Sequence, residues 1–172
     1  MKTRRIDNYG KINRDKILSF RWDKKNYKGF EGDTLASALL ANNIGIVGRS
    51  FKYHRPRGIF SSGVEESGAL VTIGSKDRRD PNVRATTQEL YNGLEASGQN
   101  AFPNVNFDLA GINNYLGRFF AAGFYYKTFM GIPPFEWGRG TAIWMFFEKF
   151  FRKAAGMGSA SGLPDPDTYE HA

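Results

Sequence analysis

A chain of 172 residues with 41% hydrophobic and 15% aromatic content has material for a core, which excludes wholesale disorder and suits one domain with an extension, or two small ones. The net charge of +7 and pI near 9.7 admit nucleic acid, an anionic lipid surface or an acidic protein partner without choosing among them. The absence of cysteine excludes disulfides, thiolate zinc sites and iron–sulfur ligation by the usual residues.

The opening residues, MKTRRIDNYGKINRDK, are polar and charged and lack the apolar core of a secretory signal. No stretch approaches the ~18 uninterrupted apolar residues of a spanning helix, so no membrane span is expected and the chain reads as cytoplasmic. Residues 1–14 read as a loose polar lead. In residues 17–22 (ILSFRW), Leu18, Phe20 and Trp22 fall on one face of a strand. Residues 23–26 predict a turn and residues 27–30 a returning strand. Asp33 or Thr34 is the expected N-cap of a helix whose apolar stripe is Leu35, Ala38 and Leu39 and which Asn42 and Asn43 end. Residues 44–47 predict a short strand, 48–68 a long polar loop, 69–73 a strand, 75–82 a turn-rich segment and 83–86 one more strand. This is an α+β pattern in which a small sheet packs on one helix, as in β-grasp folds.

After residue 100 the character changes. Residues 107–120 predict a helix with Leu109, Ile112, Leu116 and Phe119 or Phe120 on one side. Residues 122–137 are aromatic and broken by Pro133 and Pro134. Residues 141–155 (TAIWMFFEKFFRKAA) predict a strong helix stopped by Gly156. The remainder has linker composition, and a chain ending so reads as cut from something longer.

The polar loop contains GIFSSGVEESGALV, residues 58–71. Plant-type ferredoxins hold a [2Fe–2S] cluster in a loop spaced C-x4-C-x2-C with a fourth cysteine further on. That spacing falls here on Ser61, Glu66 and Ala69, none of which can replace a thiolate. The loop's glycines let the backbone turn where side chains would clash.

The segments GDTLASALLAN, VGRSFKYHRPRGIFSSG, NVRATTQELYNGLEA and AAGFYYKTFM resemble the N-terminal region of the alpha subunit of heterotetrameric sarcosine oxidases, in order and over most of the chain. The resemblance implies a ferredoxin-like β-grasp domain over 15–100 that lacks its cluster, a mainly helical aromatic extension over 101–156, and a linker over 157–172 leading toward a dinucleotide-binding domain not present in this chain. It places the cluster positions at Ser61, Glu66, Ala69 and about Thr86, with no metal in this segment. It further implies a complex with beta, gamma and delta subunits that uses FAD, FMN, NAD and tetrahydrofolate. That complex oxidises sarcosine to glycine, reduces oxygen to hydrogen peroxide, and releases formaldehyde or methylene-tetrahydrofolate. The isolated chain is then expected to be inactive and to bind no cofactor itself. A related oxidoreductase acting on another amine or an opine, or a stand-alone basic binding module, are the alternatives.

Several residues invite sharper readings. Arg49, Lys52, His54, Arg55 and Arg57, interleaved with Phe51 and Tyr53, suit an anion site. They equally suit a contact whose arginines pair with carboxylates and carbonyls, and this second reading is preferred, with no nucleic acid expected. His54 is expected to be a structural hydrogen-bonding residue, and His171 to be solvated. Glu65 and Glu66 suggest acid–base chemistry, but adjacent carboxylates on a polar loop are expected to face water or a basic neighbour. The glycines from Gly156 to Gly162 are spaced G-x-G-x-x-x-G after a helix, which is the wrong spacing and context for a dinucleotide loop. The helix bearing Ile143, Phe146, Phe147, Phe150 and Phe151, with Lys149, Arg152 and Lys153 and with Tyr125, Tyr126 and Phe129 nearby, suits docking on another protein better than an anionic membrane.

Overall fold

A computed structural model of the chain describes residues 3–7, 9–117, 140–154 and 158–164. Strand β1 (Asn13–Trp22) alternates, burying Leu18, Phe20 and Trp22 on one face. It pairs antiparallel with β2 (Lys25–Glu31), and the register runs to Trp22 opposite Lys25. The connection is therefore only Asp23 and Lys24, both at positive φ (45° and 69°), the backbone twist that joins antiparallel strands without splaying them. The turn is shorter than the expected four residues because pairing extends into Lys25 and Asn26.

Helix α1 (Leu35–Ala41) buries Leu35, Ala36, Ala38, Leu39 and Ala41. Thr34 is its N-cap: the hydroxyl accepts Ser37 N–H while Ser37 Oγ accepts Thr34 N–H, a reciprocal box. Asp33, the other expected cap, has a different duty. Its carboxylate accepts both guanidinium branches of Arg5, the Phe30 N–H and the Ser37 hydroxyl. Arg5 lies 5.1 Å over the Phe30 ring, and Thr3 Oγ1 donates to Ala41 O, so part of the expected loose lead is docked onto the fold.

Strands β3 (Gly48–Arg49) and β4 (Pro56–Arg57) form a separate antiparallel ribbon. Residues 44–47, expected as a strand, are irregular; Val47 is buried and its N–H donates to Arg57 O, so pairing starts only as the chain enters the ribbon. Strands β5 (Leu70–Ile73), β6 (Asp80–Arg84) and β7 (Glu95–Gly98) complete a mixed sheet in the order β2-β1-β7-β5-β6. Strand β6 lies earlier than the expected 83–86, drawn forward by pairing of Ile73 with Asp80.

Strand β7 was not expected from sequence. It sits between β1, to which it is parallel, and β5, to which it is antiparallel. Its sequence EASG has no apolar alternation, and it is a strand because edges on both sides supply its hydrogen bonds. At Gly98 a Cβ would lie 2.2 Å from Val105 Cγ1, so the glycine lets residues 101–106 close over the sheet. The core joins Leu18, Phe20 and Trp22 to Leu35, Leu39, Val71, Leu90 and Leu94. One helix against one face of a mixed sheet is the α+β arrangement expected of a ferredoxin-like domain.

The helix expected over 107–120 is instead a 3-10 segment at Leu109–Asn114. Asp108 caps it and Leu109 N–H donates to Phe102 O, which commits this backbone to a turn. Leu109, Ile112 and Leu116 are exposed rather than forming a buried stripe. The expected C-terminal helix is present as α2 (Gly140–Ala154), with Met145, Phe146 and Phe150 exposed and a stacked Trp144–Phe151 pair at 5.7 Å. Residues 158–161 dock on the β5–β6 side: Gly158 N–H donates to Asn82 Oδ1 at 3.1 Å and Arg79 donates to Ser159 O at 2.6 Å. Phe119, Phe120, Tyr125, Tyr126, Phe129, Pro133, Pro134, Gly156 and His171 lie outside the described residues, as do the side chains of Ile143 and Lys153.

Candidate functional site

The loop from Gly58 to Ala69 leaves ribbon strand β4 and runs directly into β5, at the point where the sheet meets the ribbon. Its tight path requires two glycines. A Cβ on Gly58 would stand 2.7 Å from Gly45 O; one on Gly68 would stand 2.8 Å from Gly58 O and 3.1 Å from Glu66 Oε1. The glycines therefore permit close backbone approach, as the sequence suggested.

At the centre of this loop is Glu66, only 2% exposed. Its Oε2 accepts the N–H groups of Phe60 and Ser61, each at 2.7 Å. Its Oε1 accepts those of Gly68 and, at 3.1 Å, Ala69. Ser61 Oγ lies 3.4 Å from Oε2. Thr86 closes the loop from outside, its hydroxyl donating to Gly63 O at 2.8 Å, and Ala69 is fully buried with its carbonyl accepting Ala85 N–H. The structure thus gathers Ser61, Glu66, Ala69 and Thr86 around one loop, with a carboxylate at its middle.

This corrects the expectation that Glu66 faces water or a basic neighbour; only Glu65 is exposed. Glu66 was misread because its partners are backbone amides, which no side-chain pattern reveals. Burial alone pushes the Glu66 carboxyl up, but the amides of Ser61, Gly68, Phe60 and Ala69 outweigh it, and the pKa lies below the ordinary glutamate value. A group depressed in this way stabilises the fold fully above the unfolded glutamate pKa of about 4.3. That contribution is lost as pH falls through the lower folded value. The stability gap between the parent chain and Glu66→Gln, read from urea midpoints, should therefore narrow from pH 5.5 to pH 3. A gap constant with pH would contradict this account.

The basic residues divide. Arg49 is a staple: Nε donates to Val105 O at 2.8 Å, and its terminal nitrogens donate to His54 O and Asn106 O. His54, at φ 52°, places Nδ1 2.7 Å from Asp108 Oδ2. Arg55 Nε donates to Asn114 Oδ1 at 2.9 Å. Lys52 and Arg55 flank the Tyr53 ring at 5.0 and 4.8 Å. Arg57 is exposed beyond its backbone pairing with Gly48. Arg49, His54 and Arg55 thus bind the ribbon to residues 105–114. Asp108, which the sequence reading did not single out, is the hub of that contact. Its only sequence signal is its place before a turn-forming LAGINN.

An open groove near the β1–β2 turn is lined by Arg21, Asp23, Lys24, Lys76 and Glu95, a mixture of charges. Burial pushes the Asp23 carboxyl up, against the opposing effects of the Gly98 N–H, Lys24 and Lys25. Among the described residues, no three His, Asp or Glu side chains converge as a metal site would need, and no helix is long and apolar enough to cross a membrane.

Comparison with known proteins gives these positions a context. The family model described as "2Fe-2S iron-sulfur cluster binding domain" matches residues 15–101. The sarcosine oxidase subunit alpha of Rhizobium meliloti (strain 1021) is 51% identical over 171 residues, which is 99% of this chain and 16% of that protein. The sarcosine oxidase subunit alpha of Corynebacterium sp. (strain U-96) is 46% identical over 90 residues, 51% of this chain and 9% of that protein. The chain therefore spans about a sixth of the length of the first of these relatives. Among solved structures, L-proline dehydrogenase from P. horikoshii aligns with 49% of this chain and 16% of its own, at 25% identity and a TM-score of 0.40.

The cluster implied by the family description does not fit the residues present. The chain holds no cysteine to supply a thiolate; Ser61, Glu66, Ala69 and Thr86 around this loop offer a hydroxyl, a carboxylate, a methyl group and a second hydroxyl, and four of the loop's amides are engaged by Glu66. The chain belongs to the 2Fe-2S iron-sulfur cluster binding domain family, as a cysteine-free member homologous to sarcosine oxidase alpha subunits.

Proposed function

We propose that this chain is a scaffold and interface segment of a sarcosine-oxidising flavoenzyme complex, contributing docking surface rather than catalytic groups. The observation that carries this reading is the 51% identity with a sarcosine oxidase alpha subunit over 99% of the chain. The residues of the loop support it, because Ser61, Glu66, Ala69 and Thr86 supply no redox chemistry of their own. The exposed Phe146 and Phe150 of α2, together with Phe60 and Val64 on the cluster loop, are apolar surface suited to protein contacts.

In this reading the partners are the rest of an alpha subunit and the beta, gamma and delta subunits, in the cytoplasm. FAD, FMN, NAD and tetrahydrofolate are bound outside this segment. The complex converts sarcosine to glycine with hydrogen peroxide and formaldehyde or methylene-tetrahydrofolate as products, and the isolated 172-residue chain turns over nothing.

The test is capture of the native complex through this chain, followed by its visible spectrum and anaerobic addition of sarcosine. Flavin bands that bleach are the expected result. Bands that persist with sarcosine but bleach with another secondary amine would move the substrate while keeping the complex. A colourless preparation with no co-purifying subunit would overturn the proposal.

A further inference from the structure

The family's cluster loop is an anion site by construction. Convergent backbone N–H groups form concavities that hold negative charge, and iron–sulfur sites are among those built this way. In this chain the concavity has donors from both ends of the loop, Phe60 and Ser61 before the bend and Gly68 and Ala69 after it. All four converge on one carboxylate, two on each oxygen, and that carboxylate stands at a position where the family spacing calls for a cluster ligand. Without an anion, four donors would lose their partner, three of them part-buried and that of Ala69 buried.

We propose that residues 58–69 form an anion nest that carries its own ligand, the Glu66 carboxylate, and that the nest emptied of it binds a small free carboxylate such as formate. The loop as it stands requires negative charge, not metal. The tethered charge keeps the loop in one conformation and holds Phe60 and Val64, 89% and 72% exposed, at the surface beside it. No thiolate is there to receive iron.

The experiment uses the full chain. In Glu66→Ala the missing atoms correspond to a small carboxylate, and the four amides are left facing the space. The thermal midpoint of this variant is measured in sodium formate and in sodium chloride at equal ionic strength. A saturable rise in formate only, of roughly 3–6 °C at ten times the dissociation constant, is expected for the variant. The parent chain should respond alike to both salts. Equal response of the variant to the two salts would overturn the proposal. Should Glu66→Ala fail to fold, Glu66→Gln decides, because it keeps the shape and removes the charge. Amide exchange at Phe60, Ser61, Gly68 and Ala69 is then expected to quicken at least about tenfold while that of Phe20 in the core is unchanged. Protection equal to the parent's at those four amides would show that charge is not required.

Discussion

Asp33→Asn is expected to cost about 3–5 kcal/mol of stability, the usual consequence of removing one partner from a buried ion pair. The Asp33 side chain is fully buried and that of Arg5 is 13% exposed. One carboxylate there accepts Arg5 through both oxygens, the Phe30 N–H at 2.8 Å and the Ser37 hydroxyl at 2.7 Å. Asparagine keeps the shape but turns an NH2 toward a set of donors and leaves the guanidinium against the Phe30 ring without its counter-charge. Urea denaturation of the parent, Asp33→Asn, Arg5→Met and the double variant separates the pair from its surroundings. A coupling energy of at least about 1 kcal/mol is expected between the two sites. Additive losses would mean that Arg5 docks on the fold without being held by Asp33.

The second large effect is expected at Asp108, whose side chain is fully buried. Its Oδ2 meets His54 Nδ1, while Oδ1 accepts the N–H groups of Phe102 at 3.1 Å and Ala110 at 3.2 Å. Asp108→Ala strands these partners together, with an expected loss of about 2–3 kcal/mol. The loss should be local in character. Amides in residues 102–114 should exchange faster well before the sheet opens, because Arg49 still holds Val105 O while the turn is left to the Leu109 N–H bond to Phe102 O and the Arg55 contact with Asn114. His54→Gln should show a smaller loss, since the two backbone donors keep their carboxylate. Equal loss in the two variants would assign the whole effect to the histidine contact and not to the hub.

Much of the domain was legible because it depends on short-range periodicity. Leu18, Phe20 and Trp22 alternate and are buried. Leu35, Ala38 and Leu39 make a helical stripe that meets them in the core. The glycines around the cluster loop mark close approaches, and GIFSSGVEESGALV displays the cluster spacing even without its cysteines. The elements that were misplaced have no periodic signal. Strand β7 exists because β1 and β5 offer edges on both sides of it. Residues 107–120 have helical spacing, yet Asp108 and Phe102 O claim the first backbone donors for a turn.

The site shows the same division. The positions Ser61, Glu66 and Ala69 could be located by counting, Thr86 followed only from the family resemblance, and the basic character of residues 49–57 could be read directly. Their roles could not. Glu66 beside Glu65 on a glycine-rich loop has the appearance of a solvated carboxylate, because the amides that satisfy it belong to the backbone. His54 finds its partner in Asp108, 54 residues onward, across a contact set by the fold of the ribbon.

By itself, then, the sequence determined the absence of thiolate chemistry, the α+β class and the strand–helix core. These follow from composition and from local periods of two and 3.6 residues, which are properties of the chain before it folds. Only the tertiary structure decided which carboxylates are buried and what they hold. Asp33 and Asp108 acquire Arg5 and His54 when distant segments close around them, Glu66 acquires its four amides when its own loop folds back on it, and burial without those partners would be prohibitive.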